Sequence, residues 1–253
     1  MKALRLHRWN LTPAQARDLQ LRLRDRVERS DRIPKLICVA GADIALELPG
    51  PRSWETGEGR AVAGVIAYRF PQMEEIERAA AITRLRFPYV PGLLSFREIP
   101  ALLAAFAKLR CAPDLIFCDG QGYAHPRRFG LACHLGVLLD RPTIGVAKSR
   151  LIGEHREPGK RAGTTTPLVD PDSGETIGAV LRTATGVKPV YVSLGHRVSL
   201  DRAVELTLAV CDGYRIPRPT RDADHFVNAL RRAMRQGARS PFGTGVSLRN
   251  TSL

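Results

Sequence analysis

Residues 113–153 read PDLIFCDGQGYAHPRRFGLACHLGVLLDRPTIGVAKSRLIG. Three short elements stand out. Asp114 to Asp119 is a brief apolar run closed by a Gly-rich stretch, the mark of a buried strand. Gly120 to Gly130 is a loop. Phe129 to Leu139 carries apolar residues at helical spacing, and Thr143 to Ala147 is a second buried strand. A strand, a helix and a strand in succession place the chain in the α/β class.

The neighbouring sequence fits that class. Upstream, Ser95 to Arg110 reads as a helix with Leu102, Leu103, Phe106 and Leu109 on one face, preceded by a proline-stiffened loop, FPYVPG, at Phe87 to Gly92. Leu36 to Leu46 and Ala61 to Phe70 read as strands joined through a Pro- and Gly-rich turn at Pro49 to Gly59, so they form a hairpin. Glu74 to Arg84, EEIERAAAITR, has helix-forming composition in a position that suits a third strand. Thr12, followed by Pro13, opens a first helix that runs to about Arg29. Downstream, strands are expected at Thr164 to Val169, Ile177 to Thr183 and Val190 to Leu194. Ser199 caps a helix to about Asp212, and Thr220 caps the last one, to about Gln236. The expectation is one α/β domain over residues 1–236, with an N-terminal antiparallel strand meander flanked by helices. A basic, flexible tail follows at 237–253.

Composition narrows the function. The 253 residues suffice for one sizeable core. No apolar run is long enough to span a bilayer. The first ten residues lack the apolar segment and cleavage site of an export signal. The five cysteines (Cys38, Cys111, Cys118, Cys133, Cys211) are scattered, and no C-x-x-C pair exists. A zinc site of ordinary spacing is therefore not expected, and the thiols read as reduced, in a cytoplasmic monomer. The net charge of +14 and pI of about 10.3 point to a polyanionic partner, nucleic acid above all. The competing reading is a coding preference for arginine plus a basic tail.

Several residues have chemistry to offer. Asp43 interrupts the apolar run VAGADIAL. A carboxylate there is costly unless it is paired, metal-bound, or solvated at a sheet edge. Asp119 ends a strand next to Gly-Gln-Gly, where ligands collect in α/β sheets, though a turn aspartate has the same look. Glu98 lies in Ser95-Phe96-Arg97-Glu98, a capping-box pattern, so taken alone it reads as a helix cap. His125 beside Arg127 and Arg128 suits phosphate binding or acid–base work. Lys148, after the strand TIGVA, can stabilise developing phosphoryl charge. Solvated surface is the other reading of both. His196 sits in a strand-to-helix turn. Tyr89, between Pro88 and Pro91, can wedge into a base stack or simply pack on the core.

Together these pieces resemble one family. FPYVPGLLSFRE (87–98), the stretch 113–153 quoted above and VSLGHRVSL (192–200) look like the signature blocks of endonuclease V, in that family's order, with Asp43 in the matching strand before them. The resemblance covers roughly residues 12–230. It implies a ribonuclease-H-like fold, with Glu74 to Arg84 as a strand. It implies a DNA-repair nuclease that recognises hypoxanthine in deoxyinosine or inosine, cuts the second phosphodiester bond on the 3′ side and uses Mg²⁺, or Mn²⁺ in its place. By that resemblance Asp43, Glu98 and Asp119 bind metal, and His125, Lys148 and His196 match active-site positions. Tyr89 matches the wedge, and Pro91, Gly92, Leu94, Gly122, Leu131 and Leu151 fall around the base pocket. The segment Ile44 to Leu48 and the Pro49 to Gly59 loop depart from the family pattern. The rival expectations are another ribonuclease-H-like nuclease, acting on inosine RNA or on branched or flap DNA, and a lesion-binding module that does not cut.

Overall fold

The computed structural model describes residues 1–33, 35–50 and 52–236; the predicted tail at 237–253 lies outside them. Eight strands form one mixed sheet: β1 Cys38–Glu47, β2 Arg60–Arg69, β3 Glu74–Arg84, β4 Leu115–Asp119, β5 Thr143–Ala147, β6 Thr165–Val169, β7 Thr176–Leu181 and β8 Val190–His196. Their order across the sheet is β3-β2-β1-β4-β5-β8-β7-β6. β1, β2 and β3 are the antiparallel meander. β1, β4 and β5 are parallel, and β8 returns antiparallel to β5.

Helices cover both faces. α1 spans Pro13–Leu23, α2 Ser53–Thr56, α3 Leu94–Phe106, α4 Leu131–Leu139, α5 Leu200–Ala209 and α6 Arg218–Arg235. Strand alternation sorts the side chains between the faces. Ala40, Ala42, Ala61, Ala63, Ile116 and Cys118 pack against α3 and α4. Val39, Val62, Ile66, Leu115, Phe117 and Ile144 pack against α5 and α6.

Local chemistry explains several boundaries. Thr12 caps α1 with a full capping box through Gln15. The helix stops at Leu23, well short of Arg29, and passes into a 3₁₀ turn at Arg24–Arg26. Ser199 caps α5 through the Arg202 N–H. Thr220 does not cap α6: that helix begins at Arg218 behind Pro217, and the Thr220 hydroxyl turns back to the Pro217 carbonyl. The Ser95–Glu98 capping box is also absent. α3 starts behind Leu93, and buried Ser95 shares a 3.0 Å hydrogen bond between its Oγ and His134 Nδ1. Pro100 lies inside α3, and the helix ends at Phe106 rather than Arg110. The Pro49 to Gly59 turn holds the one-turn α2.

Glu74–Arg84 is a strand despite its helix-forming composition. Its Ala79, Ala80 and Ala81 are buried, and it pairs with β2 along its length. Tertiary pairing outweighs propensity differences of under ~1 kcal/mol per residue.

Candidate active site

β4 ends at Asp119, level with Asp43 in the middle of β1. Both positions alternate onto the α5/α6 face, the face Phe117 and Val39 share. β1 lies between β2 and β4, so Asp43 is not at a sheet edge. Lys148 follows β5 immediately and places Nζ 2.6 Å from Asp119 Oδ2. The same Nζ stands 4.0 Å from Oδ1 of Asp224 on α6. Glu98, in the second turn of α3, comes from the opposite face, with the buried guanidinium of Arg97 next to it in sequence.

The charges feel one another. Burial, and then the charge of Asp119, push the Asp43 carboxyl up to about 8. Burial, followed by the charges of Asp43 and Asp119, pushes Glu98 up to about 8 as well, against the opposing pull of Arg97. Burial alone would lower the Lys148 ammonium. Its hydrogen bond to Asp119 and the charges of Asp119, Asp43 and Asp224 outweigh that, so its pKa is raised. The site is thus a group of carboxylates with too little positive charge of its own.

Asp224 is the participant that sequence reasoning missed. It sits in Arg-Asp-Ala-Asp-His at 221–225, which reads as the solvated face of a helix. Only the packing of α6 along β1 and β2 brings it to Lys148. Arg97 was likewise not singled out, and its burial beside Glu98 has no local signal.

The two histidines have partners of their own. His125 is buried, and both ring nitrogens are engaged: Nε2 lies 2.9 Å from the Gly92 carbonyl, and the Arg127 N–H donates to Nδ1 at 3.1 Å. That pattern fixes a neutral ring donating from Nε2. Burial, with the adjacent arginine charges, lowers its pKa to about 4. His125 therefore ties its loop to the tyrosine-bearing loop. His196 pairs with Thr143, at the amino end of β5, whereas Lys148 leaves its carboxyl end. The two lie at opposite ends of these strands, about 16 Å apart along the strand at ~3.3 Å per residue. His196 accepts from the Glu28 N–H at Nδ1 and lies 3.9 Å from Asp140, so the structure groups it with Glu28 and Asp140 and not with Lys148.

The loop residues divide as well. Tyr89 is 48% exposed on its proline-flanked loop, and Leu151 is exposed too. Pro91 is exposed and Leu94 half-buried. Gly92 adopts φ +76°, and its carbonyl accepts from Gln20 Nε2, Arg127 Nη2 and His125. A side chain there would meet Arg127 Nη2 at 2.8 Å. Gly122 is buried under β8, where a Cβ would lie 2.1 Å from the Leu194 carbonyl oxygen, so strand packing accounts for it. Leu131 is buried at the start of α4, beside Gly120.

A mixed sheet of this order, with carboxylates gathered where β1 and β4 run side by side and helices on both faces, defines a ribonuclease-H-like nuclease. The family model described as Endonuclease V matches residues 21–225, and the chain belongs to that family. An Endonuclease V of Nostoc punctiforme is 47% identical over 230 residues, which are 90% of this chain and all of that protein. The crystal structure of the Streptomyces avermitilis Endonuclease V superposes with a TM-score of 0.80 at 44% identity, covering 90% of this chain and 96% of that one. An Endonuclease V of Ciona intestinalis, crystallised with a 24mer DNA containing an inosine followed by a ribo-adenosine, superposes at 0.76 with 29% identity, covering 87% and 98%.

Proposed function

We propose that the chain is a Mg²⁺-dependent endonuclease acting in DNA repair on strands that contain deaminated purines. It hydrolyses the second phosphodiester bond 3′ to hypoxanthine and leaves a 5′-phosphate. The observation that carries this reading is that Asp119, Asp43 and Asp224 share the field of Lys148 at the centre of the sheet, with Glu98 within electrostatic reach of Asp43 and Asp119.

The donor set fits the metal. All four groups offer oxygen, and their negative charge exceeds what Lys148 neutralises. Among the described residues, no three His, Cys, Asp or Glu side chains stand close enough to hold an ion by themselves. Mg²⁺ keeps several waters and is held by one or two carboxylates together with substrate phosphate. Mn²⁺ takes the same oxygen donors. When bound, the ion supplies an activated water and charge neutralisation at the leaving oxygen. Asp43, Glu98 and Asp119 are the residues that would hold it, with Asp224 beside Lys148.

The protein's own groups do the rest. Lys148, with Nζ on Asp119, is placed to stabilise charge developing on a phosphoryl oxygen. Tyr89 stands exposed where it can fill the gap left by a base drawn out of the stack. Hypoxanthine lacks the 2-amine of guanine and carries an oxygen where adenine has its amine, so a tight backbone-lined pocket rejects guanine by size and adenine by hydrogen-bond polarity. Gly92, with its carbonyl fixed by three donors, offers such a lining. The Ciona complex with inosine-containing DNA supports this choice of substrate.

The deciding experiment incubates matched oligonucleotides, with inosine or adenine at one position, with the chain and Mg²⁺ or EDTA. Deoxyribose and ribose versions choose between DNA and inosine RNA. Branched substrates cut in preference to inosine strands would indicate a different ribonuclease-H-like nuclease. Tight inosine binding without cleavage would indicate a lesion-binding module.

A further inference from the structure

Beyond the level at which β4 stops, β1, β2 and β3 continue by themselves. β1 runs four residues past Asp43 to Glu47, paired with β2, which is paired with β3. The result is a three-stranded apron projecting about 13 Å beyond the carboxylates, at ~3.3 Å per residue. At its tip Glu47, Arg60 and Arg84 stand opposite one another in adjacent strands. Alternation puts all three on the face that carries Asp43, the face covered by α6.

This row is poorly arranged for stability. Like charges directly opposite on neighbouring strands repel. Glu47 offsets Arg60 through a 2.8 Å ion pair. Arg84 is exposed and forms no ion pair among the described residues.

α6 leads to the same place. Arg231 Nη1 donates to the Leu46 carbonyl at 3.2 Å, which fixes the helix along β1. Asp224, Asn228, Arg231 and Arg235 recur at intervals of four, three and four, so they share one flank of α6. Eleven residues at ~1.5 Å each put Arg235 about 16 Å from Asp224 along the axis. Arg235 is exposed, without an ion pair among the described residues, and lines the same groove as Arg60, Arg84 and Arg86. The groove measures about 990 Å³, with Glu47 and Glu58 as its acidic groups. The carbonyl end of a helix carries about half a negative charge. The guanidinium groups each carry a full positive one, so they set the sign of the groove.

We propose that this groove is a second nucleic-acid contact, holding backbone phosphates of the strand that flanks the scissile position. A helix flank and a strand row both run from the carboxylates and end in it. Along a duplex, phosphates of one strand recur every ~3.4 Å of axis, so 13–16 Å corresponds to about four phosphates. The identity of the strand rests on the nuclease reading; the affinity for phosphates does not.

The test is fluorescence anisotropy of end-labelled oligonucleotides with the full chain in EDTA over a range of salt. One set has no inosine. Two others carry one inosine with the flank lengthened stepwise on the 5′ or the 3′ side. Arg84→Gln and Arg235→Gln should each weaken binding several-fold and lower the salt slope by about one. The loss should appear on one side only, once that flank passes about four nucleotides. Arg202→Gln on α5, where Arg202 pairs with Glu205, should change nothing. Arg84→Gln should keep or raise the melting temperature, because it relieves a repulsion; a structural role would lower it. Unchanged affinity and slope in both groove variants, or an equal loss on the shortest strands, would overturn the proposal. Wild-type binding without inosine preference would count against the nuclease reading, while a reduced slope in the groove variants would still support the groove.

Discussion

An aspartate within an apolar strand has two readings in sequence, ligand or solvated edge, and only the strand order separates them. With β1 between β2 and β4, Asp43 has Asp119 and Asp224 as charged neighbours. Asp43→Asn and Asp119→Asn should therefore abolish Mg²⁺-dependent cleavage while binding to inosine strands persists, a pair of results that gel assays and anisotropy give together. Glu98→Gln discriminates more finely. A glutamine would preserve a capping box, but no such box forms here, so turnover should fall sharply with little change in melting temperature. Protonation adds a further test. Asp43 and Glu98 have folded pKa values raised to about 8, above those of the unfolded chain, so folding favours their protonated forms. The stability they lend is present at low pH and is lost as pH rises toward 8. Below about pH 6.5 the lowered histidines, such as His125 at about 4, oppose this trend, because folding disfavours their charged forms. Between about pH 6.5 and 8 the carboxyls act alone. In EDTA the melting temperature should fall across that window, by up to about 1.4 kcal/mol of stability per proton per pH unit. Mg²⁺ or Asp43→Asn should flatten the slope, and a melting temperature that rose across the window would contradict the cluster. Tyr89→Ala should lose inosine preference, and Tyr89→Phe should largely keep it, since stacking of ~1–3 kcal/mol per base belongs to the ring.

Strand direction decided which expectations about elements held. Asp119 and Lys148 were legible because ligands gather at the carboxyl ends of parallel strands, and β4 and β5 are parallel. His196 was assigned through the family blocks alone, and strand direction sets it apart from Lys148. β8 is antiparallel to β5, so its carboxyl end lies at the far end of these strands, and nothing in YVSLGHRVSL announces that direction. His196→Ala should accordingly keep its cleavage rate when assayed below its melting point. It should lose about 1–3 kcal/mol of stability, because the Glu28 N–H loses its acceptor. Lys148→Ala should show the reverse pattern, and equal losses of cleavage in both would restore His196 to the site. β3 was legible only through the family blocks, since its alanines and glutamates favour helix until the hairpin beside it is given. Ser95 illustrates the opposite error. Its capping pattern is sound locally, but the helix begins earlier and the hydroxyl serves His134.

For the molecule as a whole, the charge of +14 announced a polyanion but not its chemistry. The chemistry was legible in three short blocks and one strand, while the meeting of α6 with β1 that delivers Asp224 was not, because it depends on contacts far apart in sequence. The positive charge makes its own prediction. Affinity for undamaged strands should fall steeply with salt through counterion release, and a flat dependence would remove the basic residues from the interface. The broad fold sets the limits of the enzyme, a rigid mixed sheet with its carboxylates between two layers of helices. No helix among the described residues is long and apolar enough to cross a membrane. The most direct measurement is the cleavage of a labelled oligonucleotide containing one inosine, with Mg²⁺ and with EDTA, mapped to the nucleotide against an adenine control. The account predicts a single Mg²⁺-dependent cut at the second phosphodiester bond 3′ to inosine, a 5′-phosphate on the downstream fragment and an uncut control. Cleavage that ignored the inosine, or that persisted undiminished in EDTA, would contradict it.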